Sequence, residues 1–266
     1  MRLANKIAII VGAGQGPGEG MGNGRATALR FAQEGATVLS VDRDLASAEE
    51  TATLIIAAGG IAAAFAADVT READMAAMIA EAVRRWGRVD VLHYNVGVSI
   101  AGGDASPTEI TEEAFDRIHA INMRGLVMAV KHALPVMREQ GAGCILAISS
   151  AAAKHNYPFV AYKATKAAMI AYMQQIAIQN ARFGVRANVI LPGLMDTPMA
   201  VDTRARTSNR SRAEVAAERD AKVPLRAKMG TAWDVANAAL FLASDEANFI
   251  TGVYLPVDGG ALVNVV

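Results

Sequence analysis

Apolar runs of strand length alternate with amphipathic stretches of helix length along the whole chain. Residues 6–11, 37–41, 61–67, 89–96, 143–148, 185–191 and 253–257 read as strands. Residues 25–34, 46–58, 71–86, 111–139, 159–183, 212–222 and 232–243 read as helices. The strand runs are apolar throughout rather than at alternate positions, which is the pattern of a parallel sheet covered on both faces. Right-handed crossovers between such strands give the α/β doubly wound parallel sheet, the Rossmann fold, here as a single domain over residues 1–266. Gly35 and the pair Gly59-Gly60 stop the first two helices, a residue type suited to a helix C-terminus. Thr111 opens the long fourth helix without a full capping box, because Ala114 stands at its third helical position. The irregular stretch 193–212, rich in Arg, Thr and Ser, reads with the following helix as a substrate lid at about 193–222.

Composition narrows the class. Hydrophobic residues make up 53% of the chain and charged residues 20%, so it is not a disordered chain. Lys+Arg and Asp+Glu balance at 26 each, which leaves no electrostatic footprint for nucleic acid or an anionic membrane. Cys144 is the one cysteine, so neither an intrachain disulfide nor a cysteine-based metal site can form. His93, His119 and His132 have no ligand partners at metal-binding spacing and read as packing or surface residues, so no metal is expected. The N-terminus runs into a strand with no secretory signal before it. The longest apolar run, 54–67, contains Gly59-Gly60 and is shorter than the ~20 residues of a membrane span. The expectation is a soluble, cytoplasmic protein.

Between the first strand and first helix lies Gly12-Ala13-Gly14-Gln15-Gly16-Pro17-Gly18-Glu19-Gly20-Met21-Gly22-Asn23-Gly24. Glycines at such a turn let backbone amides approach a pyrophosphate, and the helix N-terminus adds partial positive charge. A helix starting at Glu19 would have to tolerate the glycines that follow it. The turn is therefore placed at Gly12 and the helix-opening pair at Gly22 and Gly24, with the residues between as an insertion. Asp42 ends the second strand, where a carboxylate can accept both hydroxyls of an adenosine ribose and repels a 2′-phosphate. That favours NAD, while Arg43 beside it could pair with a 2′-phosphate and leaves NADP open. Asp68 after the third strand could reach an adenine amino group or could cap the next helix.

The strand Cys144–Ile148 delivers Ser149 and Ser150, and Tyr162-x-x-x-Lys166 follows on a helix, where that spacing puts phenol and ammonium on one face. Alone, the motif reads more readily as one buried aromatic and one solvated lysine than as a catalytic pair. An isolated tyrosine, with a pKa near ~10, is a poor base at neutral pH. An ammonium ~5 Å away at an effective dielectric of ~20 would favour the phenolate by roughly 3 kcal/mol.

Taken together, the glycine loop, Asp42, Asp68-Val69, Asn95-Val96-Gly97, Asn122, Ser150, Tyr162-x-x-x-Lys166, Pro192-Gly193 with Thr197, and Val257-Asp258-Gly259-Gly260 resemble the short-chain dehydrogenase/reductase family. The resemblance runs from Lys6 to Gly260. It implies a catalytic tetrad of Asn122, Ser150, Tyr162 and Lys166. It implies cofactor contacts at Gly12, Gly22, Asn23, Gly24, Asp42, Arg43, Asp68, Val69, Asn95, Gly97, Tyr162, Lys166, Pro192 and Thr197. It also implies a nicotinamide cofactor, interconversion of an alcohol and a ketone, and commonly a homotetramer. In that scheme Ser150 orients the substrate oxygen, Tyr162 exchanges its proton, Lys166 lowers the Tyr162 pKa and holds the cofactor ribose, and Asn122 anchors a water. The chain departs from the family in Val11 before the first glycine, in a glycine loop several residues longer, in Asn23 at a usually aliphatic position, and in Tyr94 before Asn95. Ser149 fits the family's commoner spacing to Tyr162. Ser150 is preferred because the second hydroxyl of the pair normally carries the role.

Substrate choice falls to 99–106, 154–159 and the lid. His155 and Tyr157 stand between Ser150 and Tyr162 and could line a substrate pocket or be bland. The lid carries Arg204, Arg206, Arg210 and Arg212, with Arg219 beyond. One or more could clamp an anionic group on the substrate, or the lid could be a solvated basic face. Met169, Met173 and Trp233 read as core or interface residues. Two other readings stay open: a cofactor-binding protein without turnover, and a reductase of an enoyl or imine bond.

Overall fold

The computed structural model describes residues 1–264. The elements run Ile7–Val11 (β1), Asn23–Gln33 (α1), Thr37–Asp42 (β2), Leu45–Ala57 (α2), Ile61–Ala66 (β3), Glu72–Trp86 (α3), Val91–Tyr94 (β4) and Glu112–His119 (α4). They continue Gly125–Gln140 (α5), Gly143–Ile148 (β5), Val160–Asn180 (α6), Val185–Pro192 (β6), Met195–Asp196 (β7), Thr203–Ser208 (α7) and Arg212–Asp220 (α8). The last are Gly230–Thr231 (β8), Ala232–Ala243 (α9) and Tyr254–Val257 (β9).

Seven strands form one parallel sheet in the order β3-β2-β1-β4-β5-β6-β9. The order reverses between β1 and β4, and in such a sheet ligands bind beyond the carboxyl ends of the strands at that point. The central strands are buried on both faces, as their continuous apolar sequence requires. Ile9, Leu39, Leu92 and Ile145 pack with Met75, Leu126, Met169 and Met173 on one face. Ile10, Val38, Leu146 and Ile190 pack with Phe31, Ile55, Val235 and Leu240 on the other. Met169 and Met173 are thus core residues. Trp233 packs in a small cluster with Ala26 and Ala236 and lies under Arg30, 5.4 Å from guanidinium carbon to ring centroid.

Two expectations about elements need correction. The helix expected over 111–139 is interrupted by a π turn, Ala120–Arg124, which separates α4 from α5 and contains Asn122. One extra residue in a turn leaves no trace in hydrophobic periodicity, and such insertions cluster at functional sites. The stretch read as irregular is ordered into β7, a π turn at Pro198–Asp202 and α7, and leads into the expected helix, α8. Thr197 caps the first turn and Ser211 forms a capping box with Glu214, while Val201, Ala205, Val215, Val223 and Met229 make a small core of their own. Helix α7 is too short to show a readable period. No helix among the described residues is long and apolar enough to cross a membrane.

Candidate active site

Helix α1 begins at Asn23 with Gly22 as its N-cap, so the helix opens where the glycine count placed it. Gly12 has φ +83°, and a Cβ on Gly24 would sit 1.8 Å from the Gly12 carbonyl oxygen. The turn and the helix therefore meet at a contact that only glycine permits. The Asn95 side chain ties the same carbonyl to β4, with Nδ2 donating at 3.1 Å. Asn23 Oδ1 is buried without a partner and its residue lines a cavity. The glycine cradle at the switch point fits a phosphate-bearing nucleotide, while the orphaned Asn23 acceptor calls for a donor such as a hydroxyl or an N–H.

Asp42 Oδ2 accepts the Gly14 amide at 2.9 Å, and Oδ1 accepts the Asp44 amide at 3.1 Å. Asp68 does not cap α3, whose N-cap is Arg71. Its Oδ1 accepts the Thr70 amide and hydroxyl ahead of the helix, and the residue lines the cavity beside Asp42. Burial raises the Asp68 carboxyl, but the Thr70 bonds and then the charges of Arg43 and Arg71 bring it below its ordinary value. Gly12, Asp42, Arg43, Asp68, Val69 and Asn95 share this cavity of about 280 Å³. Gly97 and Val98 join it to a second cavity of about 260 Å³.

That second cavity holds the chemistry. Ser150, Tyr162, Lys166, Pro192 and Thr197 line it. Helix α6 carries both Tyr162 and Lys166, and the Lys166 Nζ donates to the Ile148 carbonyl at 2.8 Å. A Cβ on Gly97 would stand 2.8 Å from that Nζ, so glycine leaves room for the ammonium. Both serines line the cavity, but their hydroxyls differ. Ser149 is buried and its hydroxyl donates to the Lys166 carbonyl at 2.6 Å, whereas the Ser150 hydroxyl lies beside the phenol.

The electrostatics differ from expectation. Burial pushes the Tyr162 phenol up to about 12, with the Ser150 hydroxyl and the Arg204 charge pulling the other way. Burial also brings the Lys166 ammonium down to about 7. In the cofactor-free protein desolvation is thus the largest influence on both groups, and the phenol lies above its ordinary value rather than below it. Asn122 is buried in the π turn between α4 and α5. Its Oδ1 accepts the Val98 amide at 2.8 Å, and its Nδ2 donates to the Val98 carbonyl and Thr165 Oγ1 at 3.0 and 3.1 Å. Both amide hydrogens are engaged, so the side chain is a strut between two loops and α6 rather than a donor to water.

Sequence reading missed Asp104. Its buried carboxylate accepts the backbone amides of Ala161 and Tyr162 at the start of α6, and the Ser99 hydroxyl as well. Ser99 Oγ in turn lies 3.1 Å from the Tyr157 hydroxyl. A carboxylate more than fifty residues from the helix it caps leaves no local pattern. Tyr157 and His155 both line the cavity, His155 from its exposed rim.

The lid arginines divide. Arg204 and Arg219 line the cavity. Arg206 does not: it is exposed and donates to the Pro17 carbonyl at 3.3 Å, so its expected place among substrate contacts is corrected. Arg210 pairs with Glu218, and Arg212 with Asp196 and Asp202. The Glu19 amide donates to Asp202 Oδ1 at 3.1 Å. The glycine-loop insertion is thus bonded across the cleft to the lid. Among the described residues no group of three His, Cys, Asp or Glu side chains could hold a metal ion.

A family model described as enoyl-(acyl carrier protein) reductase matches residues 18–261. The chain is 36% identical over 267 residues to the 2,5-dichloro-2,5-cyclohexadiene-1,4-diol dehydrogenase of Sphingobium indicum, with 99% of each covered. It is 37% identical over 260 residues to 2-(S)-hydroxypropyl-CoM dehydrogenase 3 of Xanthobacter autotrophicus, with 97% of each covered. A crystal structure from Burkholderia xenovorans, assigned to the short-chain dehydrogenases/reductases, has a TM-score of 0.90 at 41% identity and covers 100% of this chain and 99% of that one. Similarity at this level over nearly the whole length makes the chain a member of the short-chain dehydrogenase/reductase family of oxidoreductases.

Proposed function

We propose that the protein interconverts a secondary alcohol and a ketone by hydride transfer with NAD, with Tyr162 exchanging the proton at the substrate oxygen. The observation that carries this reading is the convergence of Tyr162, Ser150 and Lys166 on one cavity that opens, past Gly97 and Val98, into the cavity of Asp42. The nicotinamide supplies or accepts the hydride. Gly12 and Gly24 let the pyrophosphate close on the helix N-terminus, and Asp42 accepts the ribose hydroxyls. Asn23, Asp68, Val69, Asn95, Pro192 and Thr197 complete the cleft around the cofactor. Ser150 donates to the substrate oxygen, and Tyr162 gives or takes its proton. Lys166 holds the ribose, and Asn122 positions α6 through Thr165.

NAD rather than NADP is supported by Asp42 at the end of β2, which lines the cavity beside Gly12. Turnover ratios with the two cofactors, before and after Asp42→Ala, test this: a ratio favouring NADP in the parent protein would overturn it. A homotetramer is supported by exposed Phe249, Val253 and Tyr254 on or next to the edge strand β9. Sedimentation of a Phe249→Glu variant would show a smaller species. A cytoplasmic location is supported by the single free, buried Cys144.

Enoyl reduction is the second reading, favoured by the description of the matching family model. A hydroxyl beside the phenol supports a carbonyl oxygen instead. Oxidation of reduced cofactor with a panel of ketones and enoyl thioesters tests the choice. Turnover of ketones supports the proposal; turnover of enoyl thioesters alone overturns it. Cofactor binding with no turnover of either favours a binding protein.

A further inference from the structure

The catalytic cavity is lined by Lys166 and by two guanidiniums, Arg204 and Arg219, and by no carboxylate. Lys166 stands at the ribose end, against Gly97. Arg204 and Arg219 come from α7 and α8, on the lid side. Each is half-buried, and neither forms an ion pair among the described residues. One edge of the Arg204 guanidinium is fixed by a bond from Nη1 to the Ala200 carbonyl at 2.8 Å, and its remaining donors are unassigned. The Arg219 guanidinium has no hydrogen-bond partner among the described residues, and its Nε is buried without one.

The nearby carboxylates are occupied elsewhere. Glu218, next to Arg219 in the chain, is held by Arg210 and Lys222 at 2.7 and 2.6 Å. Asp196 is held by Arg212. Burial, and then the Arg204 charge, brings Arg219 down to about 10, so the two guanidiniums repel across a desolvated space. Two like charges held together, half out of water and short of acceptors, are an arrangement that an anion relieves.

We infer that Arg204 and Arg219 form an oxyanion clamp, and that the substrate is a small alcohol or ketone carrying a carboxylate or sulfonate. The inference rests on the hydride-transfer reading above and specifies its substrate class. Arg204 and Arg219 line the same cavity as Tyr157 and Tyr162, so the clamp faces the space in which the reacting oxygen would sit, and the cavity of about 260 Å³ limits the substrate to a small molecule.

The test compares ketones matched in shape: levulinate against methyl levulinate, and para-acetylbenzenesulfonate against its methyl sulfone. With reduced cofactor saturating, the parent protein prefers the anion of at least one pair in kcat/KM. In Arg204→Gln and Arg219→Gln that preference falls about 10- to 100-fold, the scale of a charge-assisted hydrogen bond. Lysine at either position restores part of it. Equal kcat/KM within both pairs, or a preference unchanged in both variants, overturns the clamp. Calorimetry of the parent protein with bound NAD, using benzoate and para-toluenesulfonate against toluene methyl sulfone, needs neither turnover nor a folded variant. Selective binding of an anion supports the clamp, and no selectivity overturns it. Absence of turnover with all four ketones overturns the hydride-transfer reading instead, and the calorimetry still decides the clamp.

Discussion

The Asp104 carboxylate accepts the Tyr162 backbone amide at 2.9 Å and the Ala161 amide at 3.0 Å, joining the loop after β4 to the first turn of the catalytic helix. Negative charge at a helix N-terminus is favourable, and this one is buried. It sets the height at which α6 presents the Tyr162 phenol. Asp104→Ala strips two buried amides of their acceptor and should cost roughly 2–4 kcal/mol in urea unfolding. The displaced phenol should lose about 10- to 100-fold in kcat/KM. Asp104→Asn keeps one oxygen acceptor and should recover most of both. Full activity in the alanine variant would remove Asp104 from the account.

Gly24 meets the Gly12 carbonyl where a Cβ would stand 1.8 Å away, while Gly16 has nothing within 4 Å and an ordinary φ. Gly24→Ala should cost about 1–3 kcal/mol and weaken nucleotide binding, because the turn must open. Gly16→Ala should stay within about 0.5 kcal/mol of the parent. Calorimetric titration with NAD and thermal unfolding check both. Equal effects at the two positions would contradict the cradle.

Proton exchange at Tyr162 fixes the direction of the pH dependence. Its phenol is held up near 12 in the cofactor-free protein, so alcohol oxidation, which needs the phenolate, should accelerate with rising pH. At saturating NAD the gain should approach tenfold for each pH unit below the pKa of the complex. Ketone reduction uses the neutral phenol and should not fall until that pKa is approached. An oxidation rate that is flat from neutral to alkaline pH would contradict the assignment.

His93 is fully buried in β4, with both ring nitrogens unpartnered and Phe31 at 6.2 Å edge-on. Burial holds its pKa down at about 3, well under its ordinary value. Below about pH 6.5 the unfolded chain takes up a proton that the folded protein refuses, so stability falls as pH falls from there toward 3. The loss by pH 5 should be about 2 kcal/mol. His93→Leu should abolish that part of the decline, measured as urea midpoints at the two ends of the window. An identical decline in both proteins would place the acid sensitivity elsewhere.

The parallel sheet and its switch point were readable because continuous apolar strands and helix-stopping glycines are local patterns. So were Gly12, Gly24, Tyr162 and Lys166, whose geometry follows from spacing within one turn or one helix. What escaped was long-range or energetic. Asp104 acts on a helix far away in sequence. The π turn at Asn122 adds a single residue that periodicity does not resolve. Arg204 and Arg206, two residues apart, face different surfaces of a short helix, one the cavity and one the glycine loop. The expectation for Tyr162 and Lys166 took them as a pair in a uniform dielectric, which leaves out the desolvation that raises the phenol and lowers the ammonium.

The central claim is that Tyr162 exchanges a proton with a substrate oxygen during nicotinamide-dependent hydride transfer. Its most direct test is the rate at which reduced cofactor is consumed with a ketone substrate, in the parent protein and in Tyr162→Phe, with cofactor binding measured alongside. The account predicts a loss of about 10²–10⁴-fold in kcat with cofactor affinity retained. An undiminished rate in Tyr162→Phe would contradict it.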